Sequence, residues 1–257
     1  MDSNEELVRF IDRASSLCMP SLSIDCVIFG FHSNQLKVLL LRLKYGPNWS
    51  LPGGFIYRQE HIDDAANRIL MERTGLNKIF LRQFRIFGDP GRSDLNAMST
   101  VLEAEKIRLD GDHWVLQRFL TVGYYALVEF SHVQPRADSI SMACEWADLH
   151  RVPHLIMDHG AILESALGTL RQQLNYQPIG YNLLPAKFTM PELQSLYETI
   201  LDKKLDRRNF QRRMLGYGIL KRLKETRKGG AHKAPYLYSF NLRRYRKALD
   251  LGLQSSW

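Results

Sequence analysis

The chain has 257 residues, 45% of them apolar, and a formal net charge of +8. That length suits two ordinary domains, and the apolar fraction supports packed cores, which excludes a disordered or fibrous chain. The acidic N-terminus (Asp2, Glu5, Glu6) is unlike a signal peptide, and no apolar run approaches the roughly 18 residues of a spanning helix, so a cytoplasmic location is expected. Cys18, Cys26 and Cys144 are scattered without metal-ligand spacing and read as small hydrophobes in a reducing compartment.

The charge is unevenly distributed. Residues 1–180 carry 18 basic and 21 acidic side chains, a net of −3, whereas residues 181–257 carry 17 basic and 6 acidic, a net of +11. A small basic module beside a slightly acidic one points to a polyanionic partner for the small module alone.

In chain order, residues 5–17 have helical spacing, with Leu7, Phe10, Ile11 and Leu17 on one side. Residues 21–31 and 36–44 are strand-like, and the turn His32-Ser33-Asn34-Gln35 between them predicts a hairpin. Trp49–Phe55 (WSLPGGF) reads as a strand with a Gly-Gly turn. Residues 63–74 are helical, with Gly75 as the C-cap. Residues 79–87 and 119–130 predict further strands, and Asp89–Arg118 between them is too long for a hairpin loop and reads as an ordered insertion. A helix over 159–174 follows, and the proline-containing stretch 175–188 marks the domain junction.

The most specific stretch is GGFIYRQEHIDDAANRILMERTGL, residues 53–76. It resembles the Nudix box: Gly54, Glu60, Arg68, Leu70, Glu72, Gly75 and Leu76 fall in register with that family's pattern. The resemblance implies that an active box would carry glutamates at the positions of Ile69, Glu72 and Arg73. That spacing aligns three carboxylates on one helix face, where they hold the divalent ions that bridge a diphosphate. Here an isoleucine and an arginine replace two of them, and Arg73 could pair with Glu72. The expectation is therefore no catalytic residue, no metal and no cofactor. The competing reading rebuilds a metal site from Glu60, Glu72 and Glu103 or Glu105.

From Phe188 the chain turns basic. Thr189 and Glu192 have capping-box spacing, Pro191 fits a first turn, and Leu193, Leu196, Tyr197 and Ile200 form a helical stripe. Asp206 is an N-cap for a second helix, residues 207–215, on which Phe210, Met214 and Tyr217 share one face. Arg208, Gln211 and Arg212 point the other way, beside Asn209 and flanked by Arg207 and Arg213. Arg and Gln suit base edges of the major groove, and first-turn arginines oppose the helix dipole unless an anion lies nearby. Leu215 does not fit that polar face and is expected to pack on a neighbouring element. Residues 219–224 and 236–241 predict a hairpin with a cationic tip: Arg227, Lys228, His232 and Lys233. Helix, turn, basic helix and basic hairpin is the winged-helix layout.

A degenerate box followed by FTMPELQSLYETILDKKLDRRNF resembles the Nudix-related transcriptional regulators of the NrtR and AraR type over most of the chain. The resemblance implies an α+β sandwich, a mixed sheet flanked by helices, for residues 1–178, with an insertion at about 89–118. That domain would bind an effector and dimerise, and a winged helix-turn-helix over 179–257 would bind DNA. It further implies a homodimer on a palindromic double-stranded operator, acting as a repressor. The effector would be a sugar such as arabinose or ADP-ribose, and overall similarity leans to the sugar-responsive branch. A Nudix hydrolase with a basic accessory domain is the alternative, and a protein- or RNA-binding scaffold the third reading.

Overall fold

The computed structural model describes residues 8–9, 11, 13–14, 16–44, 48–76, 79–92, 102–104, 106–109, 113–137, 141–227 and 234–253. The chain divides into two compact units: Met1–Phe29 with Lys37–Ala166, and Gly30–Leu36 with Leu167–Trp257.

The first unit is built on strands β1 (Cys18–His32), β2 (Gln35–Leu43), β3 (Trp49–Ser50), β4 (Gly53–Tyr57), β5 (Phe80–Phe87), β6 (Leu120–Glu129) and β7 (Ser141–Asp148). They form one sheet in the order β3-β2-β1-β6-β5, with β4 added to β1 and β7 to β2. Residues 24–30 of β1 are continuously buried, as in a strand covered on both faces. The predicted first hairpin is present: Ser33 and Asn34 have φ of 49° and 59°, a two-residue turn of the hand that suits strand twist.

Helix α1 (Ile62–Thr74) covers one face, with Ala65, Ala66, Ile69 and Leu70 packed among Ile24, Cys26, Ile28, Leu39, Val122 and Tyr124. His61 caps its start, and Gly75, at φ 71°, closes its end by donating to the Met71 carbonyl at 2.8 Å. That left-handed position favours glycine. Helix α2 (His159–Gln173) follows β7, and the division between the two units falls inside it.

Two expectations need correction, and one strand lacks a sequence signal. Gly53 and Gly54 do not form a turn; they lie in β4, opposite Asp25 and Ile24. A Cβ on Gly53 would stand 2.6 Å from Asp25 Oδ1 and 2.8 Å from the Ile24 carbonyl, so close strand approach requires the glycine. Strand β7 has no clear signal in the sequence, because SMACEWAD lacks a clear alternation of apolar and polar residues. In the N-terminal segment the described residues of 8–17 are helical with Ile11 and Ala14 buried, but Leu17 is 42% exposed at the helix end; Leu7 and Phe10 lie outside the described residues.

The second unit contains β8 (Phe188–Thr189), α3 (Met190–Leu201), α4 (Arg207–Gly216), β9 (Leu220–Thr226), β10 (Tyr236–Phe240) and α5 (Leu242–Leu251). β10 lies between β8 and β9. Thr189 and Glu192 form the predicted capping box: Thr189 N–H donates to Glu192 Oε2 at 2.7 Å, and Glu192 N–H to Thr189 Oγ1 at 3.3 Å. The stripe Leu193, Leu196, Tyr197 and Ile200 is buried, as are Phe210 and Met214 of α4. Phe188, Phe240 and Tyr245 pack at ring-centroid distances of 4.8 and 5.0 Å. The hairpin tip at residues 30–36 belongs to this unit, where Ser195 Oγ lies 3.0 Å from Asn34 Oδ1.

Candidate functional site

In the first unit, the box residues are arranged around Arg68. Its Nε and Nη2 donate to Glu60 Oε1 and Oε2, both at 2.8 Å, and Nη2 also donates to the Phe55 carbonyl at 2.8 Å. Glu60 Oε2 accepts the Tyr57 N–H at 3.2 Å, and the guanidinium lies over the Tyr57 ring at 4.1 Å. The Arg68 hydrogen bond, aided by the Tyr57 N–H against the opposing effect of burial, holds the Glu60 carboxyl below the usual carboxylate range. Glu72 pairs with Arg68, Nη1 to Oε1, at 3.5 Å. Glu60 and Arg68 thus clamp the loop onto the helix.

Ile69 turns inward. It is 1% exposed, and a Cβ on Gly54 would meet its Cγ1 and Cδ1 at 3.1 Å. The position that carries a carboxylate in an active box is filled here by core packing. The box offers a divalent ion fewer oxygens than three aligned glutamates would: Ile69 has no ligating atom, Glu60 accepts from Arg68 and a backbone donor, and Glu72 faces the same cation. Among the described residues no three His, Cys, Asp or Glu side chains converge for a metal. Glu103 is described but Glu105 is not.

Two features of this unit were not read from the sequence. The first is a buried ionic network. Arg92 donates to Asp158 at 2.9 and 3.1 Å, to Asp25 at 3.3 Å and to the Phe119 carbonyl at 3.2 Å. His159 Nδ1 accepts the Leu51 N–H at 3.0 Å, while its Nε2 stands 3.6 Å from Asp25. The partners lie 66 and 67 positions from Arg92, so no local spacing could reveal them. The second is an aromatic trio beside the box, in which Phe55 meets Trp114 at 5.0 Å and Phe119 at 5.4 Å. Trp114 belongs to the 89–118 insertion, and its indole Nε1 is buried without a hydrogen-bond partner.

In the second unit, Asp206 caps α4 by accepting the Asn209 N–H at 2.9 Å, which directs Phe210 and Met214 inward. Arg207, Arg208, Asn209, Arg212 and Arg213 are exposed and Gln211 is half-buried. Arg212 donates to Asn209 Oδ1 at 3.2 Å, and Arg213 to the Tyr217 hydroxyl. Arg227, expected at the hairpin tip, pairs with Glu192 of the capping box. Lys228, His232 and Lys233 lie outside the described residues. Leu215 departs from expectation: it is 43% exposed rather than packed, because the inward face of α4 is taken by Phe210 and Met214. Helix α5 was missed, although the Asn241 cap and the run LRRYRK were available signals; Arg243, Arg244, Arg246 and Lys247 on it are exposed.

A mixed sheet carrying a glutamate–arginine-clamped box helix, followed by β8-α3-α4-β9-β10, defines a Nudix fold joined to a winged helix. The chain belongs to the Nudix family: the NUDIX domain matches residues 19–164, and the NrtR DNA-binding winged helix domain matches residues 180–240. It is 29% identical over 233 residues to the ADPR responsive transcriptional repressor NtrR of Acinetobacter baylyi, covering 88% of this chain and 84% of that one. It is also similar to the crystal structure of Shewanella oneidensis NrtR complexed with a 27mer DNA, at 27% identity and a TM-score of 0.68, covering 88% of this chain and 95% of that one. The structure of the same Shewanella protein alone gives 28% identity and a TM-score of 0.67 over 86% and 94%. A MutT/nudix family protein from Enterococcus faecalis shares the fold at 22% identity and a TM-score of 0.62 over 93% and 96%. Among the described residues no helix is long and apolar enough to cross a membrane.

Proposed function

We propose that this protein is a cytoplasmic, homodimeric repressor whose Nudix domain senses ADP-ribose or a related nucleotide sugar instead of hydrolysing it. The winged helix carries the reading. A DNA-binding domain match over residues 180–240 coincides with an α4 whose inner face is apolar and whose outer face presents Arg208 and Arg212. Residues 179–257 serve the operator, and residues 1–178 serve the effector and the dimer.

The ADPR-responsive relative from Acinetobacter baylyi favours ADP-ribose over the arabinose-type effector. The half-buried Phe55–Trp114–Phe119 trio supports an effector site beside the box. The absence of hydrolysis is supported by Ile69 in the core and by Arg68 on both remaining glutamates.

The test is selection of bound duplexes from a random pool, then titration of the recovered operator complex with ADP-ribose and with arabinose. A palindromic motif released by ADP-ribose is expected, with no Mg2+-dependent breakdown of the nucleotide. Failure of both ligands to alter operator affinity removes the sensing half, because an effector must bind one state better than the other to regulate. Breakdown of ADP-ribose that needs Glu72 restores the hydrolase reading.

A further inference from the structure

Leu215 breaks the polar face of α4. At about 100° per residue it lies roughly 20° around the helix from Arg208 and 60° from Arg212, but roughly 100° from Met214 and 140° from Phe210. Phe210 and Met214 are buried, whereas Leu215 is 43% exposed between Arg208 and Gln211 on the outward side. Helix propensity gives no reason for it, since Lys, Arg or Gln would serve an exposed position equally well. Packing gives none either, because the side chain points away from the core of its unit.

We infer that Leu215 is a specificity residue that packs on the C5-methyl group of a thymine in the operator's major groove. The inference rests on the DNA-binding reading above. Arginines and Gln211 address phosphates and base acceptors, but the thymine methyl is recognised by apolar contact. Arg208 and Leu215, seven residues apart on one side of α4, are about 10 Å apart along the helix, less than the roughly 12 Å width of the major groove, so both can reach into it. Gly216 beside it adds no side chain, and a Cβ built there would meet nothing within 4 Å, which leaves the approach to Leu215 open.

The experiment selects duplexes with the full-length chain and with Leu215→Ala, then replaces each thymine of the wild-type consensus in turn by deoxyuridine. The wild-type protein should show one thymine per half-site whose methyl loss weakens binding about four-fold, the worth of one buried methyl. Leu215→Ala should bind the two duplexes alike and select a consensus relaxed at that position. Arg208→Ala should weaken binding to both duplexes and keep their ratio. A wild-type protein indifferent to every replacement overturns the proposal, as does a methyl effect that persists undiminished in Leu215→Ala, since it then belongs to DNA shape or another side chain. If the wild-type chain enriches no motif at all, the sequence-specific DNA reading itself fails, and the Leu215 proposal with it.

Discussion

Arg92 and Asp158, 66 positions apart, are joined by two hydrogen bonds, Nε to Oδ2 at 2.9 Å and Nη2 to Oδ1 at 3.1 Å. The guanidinium is 1% exposed and also holds Asp25 at 3.3 Å, so one cation neutralises two partly or wholly buried carboxylates. It fixes the first residues of the insertion against the start of α2, where the Asp158 carbonyl accepts the Ile162 N–H. Removing one partner of such a network leaves uncompensated charge. Arg92→Ala should lower the stability of the first unit by about 3–5 kcal/mol, read from urea unfolding. A loss under about 1 kcal/mol would mean that water replaces the guanidinium without penalty.

The Glu60–Arg68 clamp should make stability pH-dependent in a defined direction. The Arg68 hydrogen bond lowers the Glu60 carboxyl in the folded state. A lowered carboxyl contributes stability that is complete above its unfolded value, about 4.3, and is lost as pH falls through the lower folded value. The thermal midpoint of the wild-type protein should therefore exceed that of Glu60→Gln at neutral pH. The gap should narrow below about pH 4. A gap constant across that range would show that the clamp does not act through charge.

Placing a carboxylate at Ile69 should not create a metal site. The side chain is 1% exposed among Ile24, Cys26 and Leu70, where a charged group lacks both water and a partner. Ile69→Glu should cost about 3 kcal/mol or more, seen as a lower unfolding midpoint with or without Mg2+. A stable variant whose midpoint rises with Mg2+ would reveal room for an ion at this position.

On the DNA side, phosphate-contacting cations differ from engaged ones. Each arginine on a phosphate contributes about 0.9 to the slope of log affinity against log salt. Arg208→Ala should flatten that slope by about one contact. Arg227→Ala should flatten it less, because Arg227 is already paired with Glu192. Equal slopes for the wild type and Arg208→Ala, measured by titration between about 50 and 200 mM salt, would take Arg208 off the backbone.

Much of the second unit was legible because its signals are local. Thr189 and Glu192 are three residues apart, Asp206 immediately precedes its helix, and the stripe from Leu193 to Ile200 repeats at the helical period. The same holds for Gly75, whose cap depends on the last turn before it. Such hydrogen bonds form between neighbours in sequence, so residue type and spacing are enough to predict them.

What only the tertiary structure decided lies in long-range contacts. The sequence determined that Ile69 and Arg73 stand where the Nudix box pattern has glutamates, but not that Ile69 fills the core beneath Gly54 or that Arg68 engages both Glu60 and Glu72. It placed Gly53 in a turn, whereas the closeness of Asp25 across the sheet makes it a strand glycine. It could not assemble Asp25, Arg92, Asp158 and His159, which meet only when the sheet brings distant segments together. Nor could it settle Leu215, since whether an apolar side chain on a helix is covered depends on what the rest of the fold places beside it.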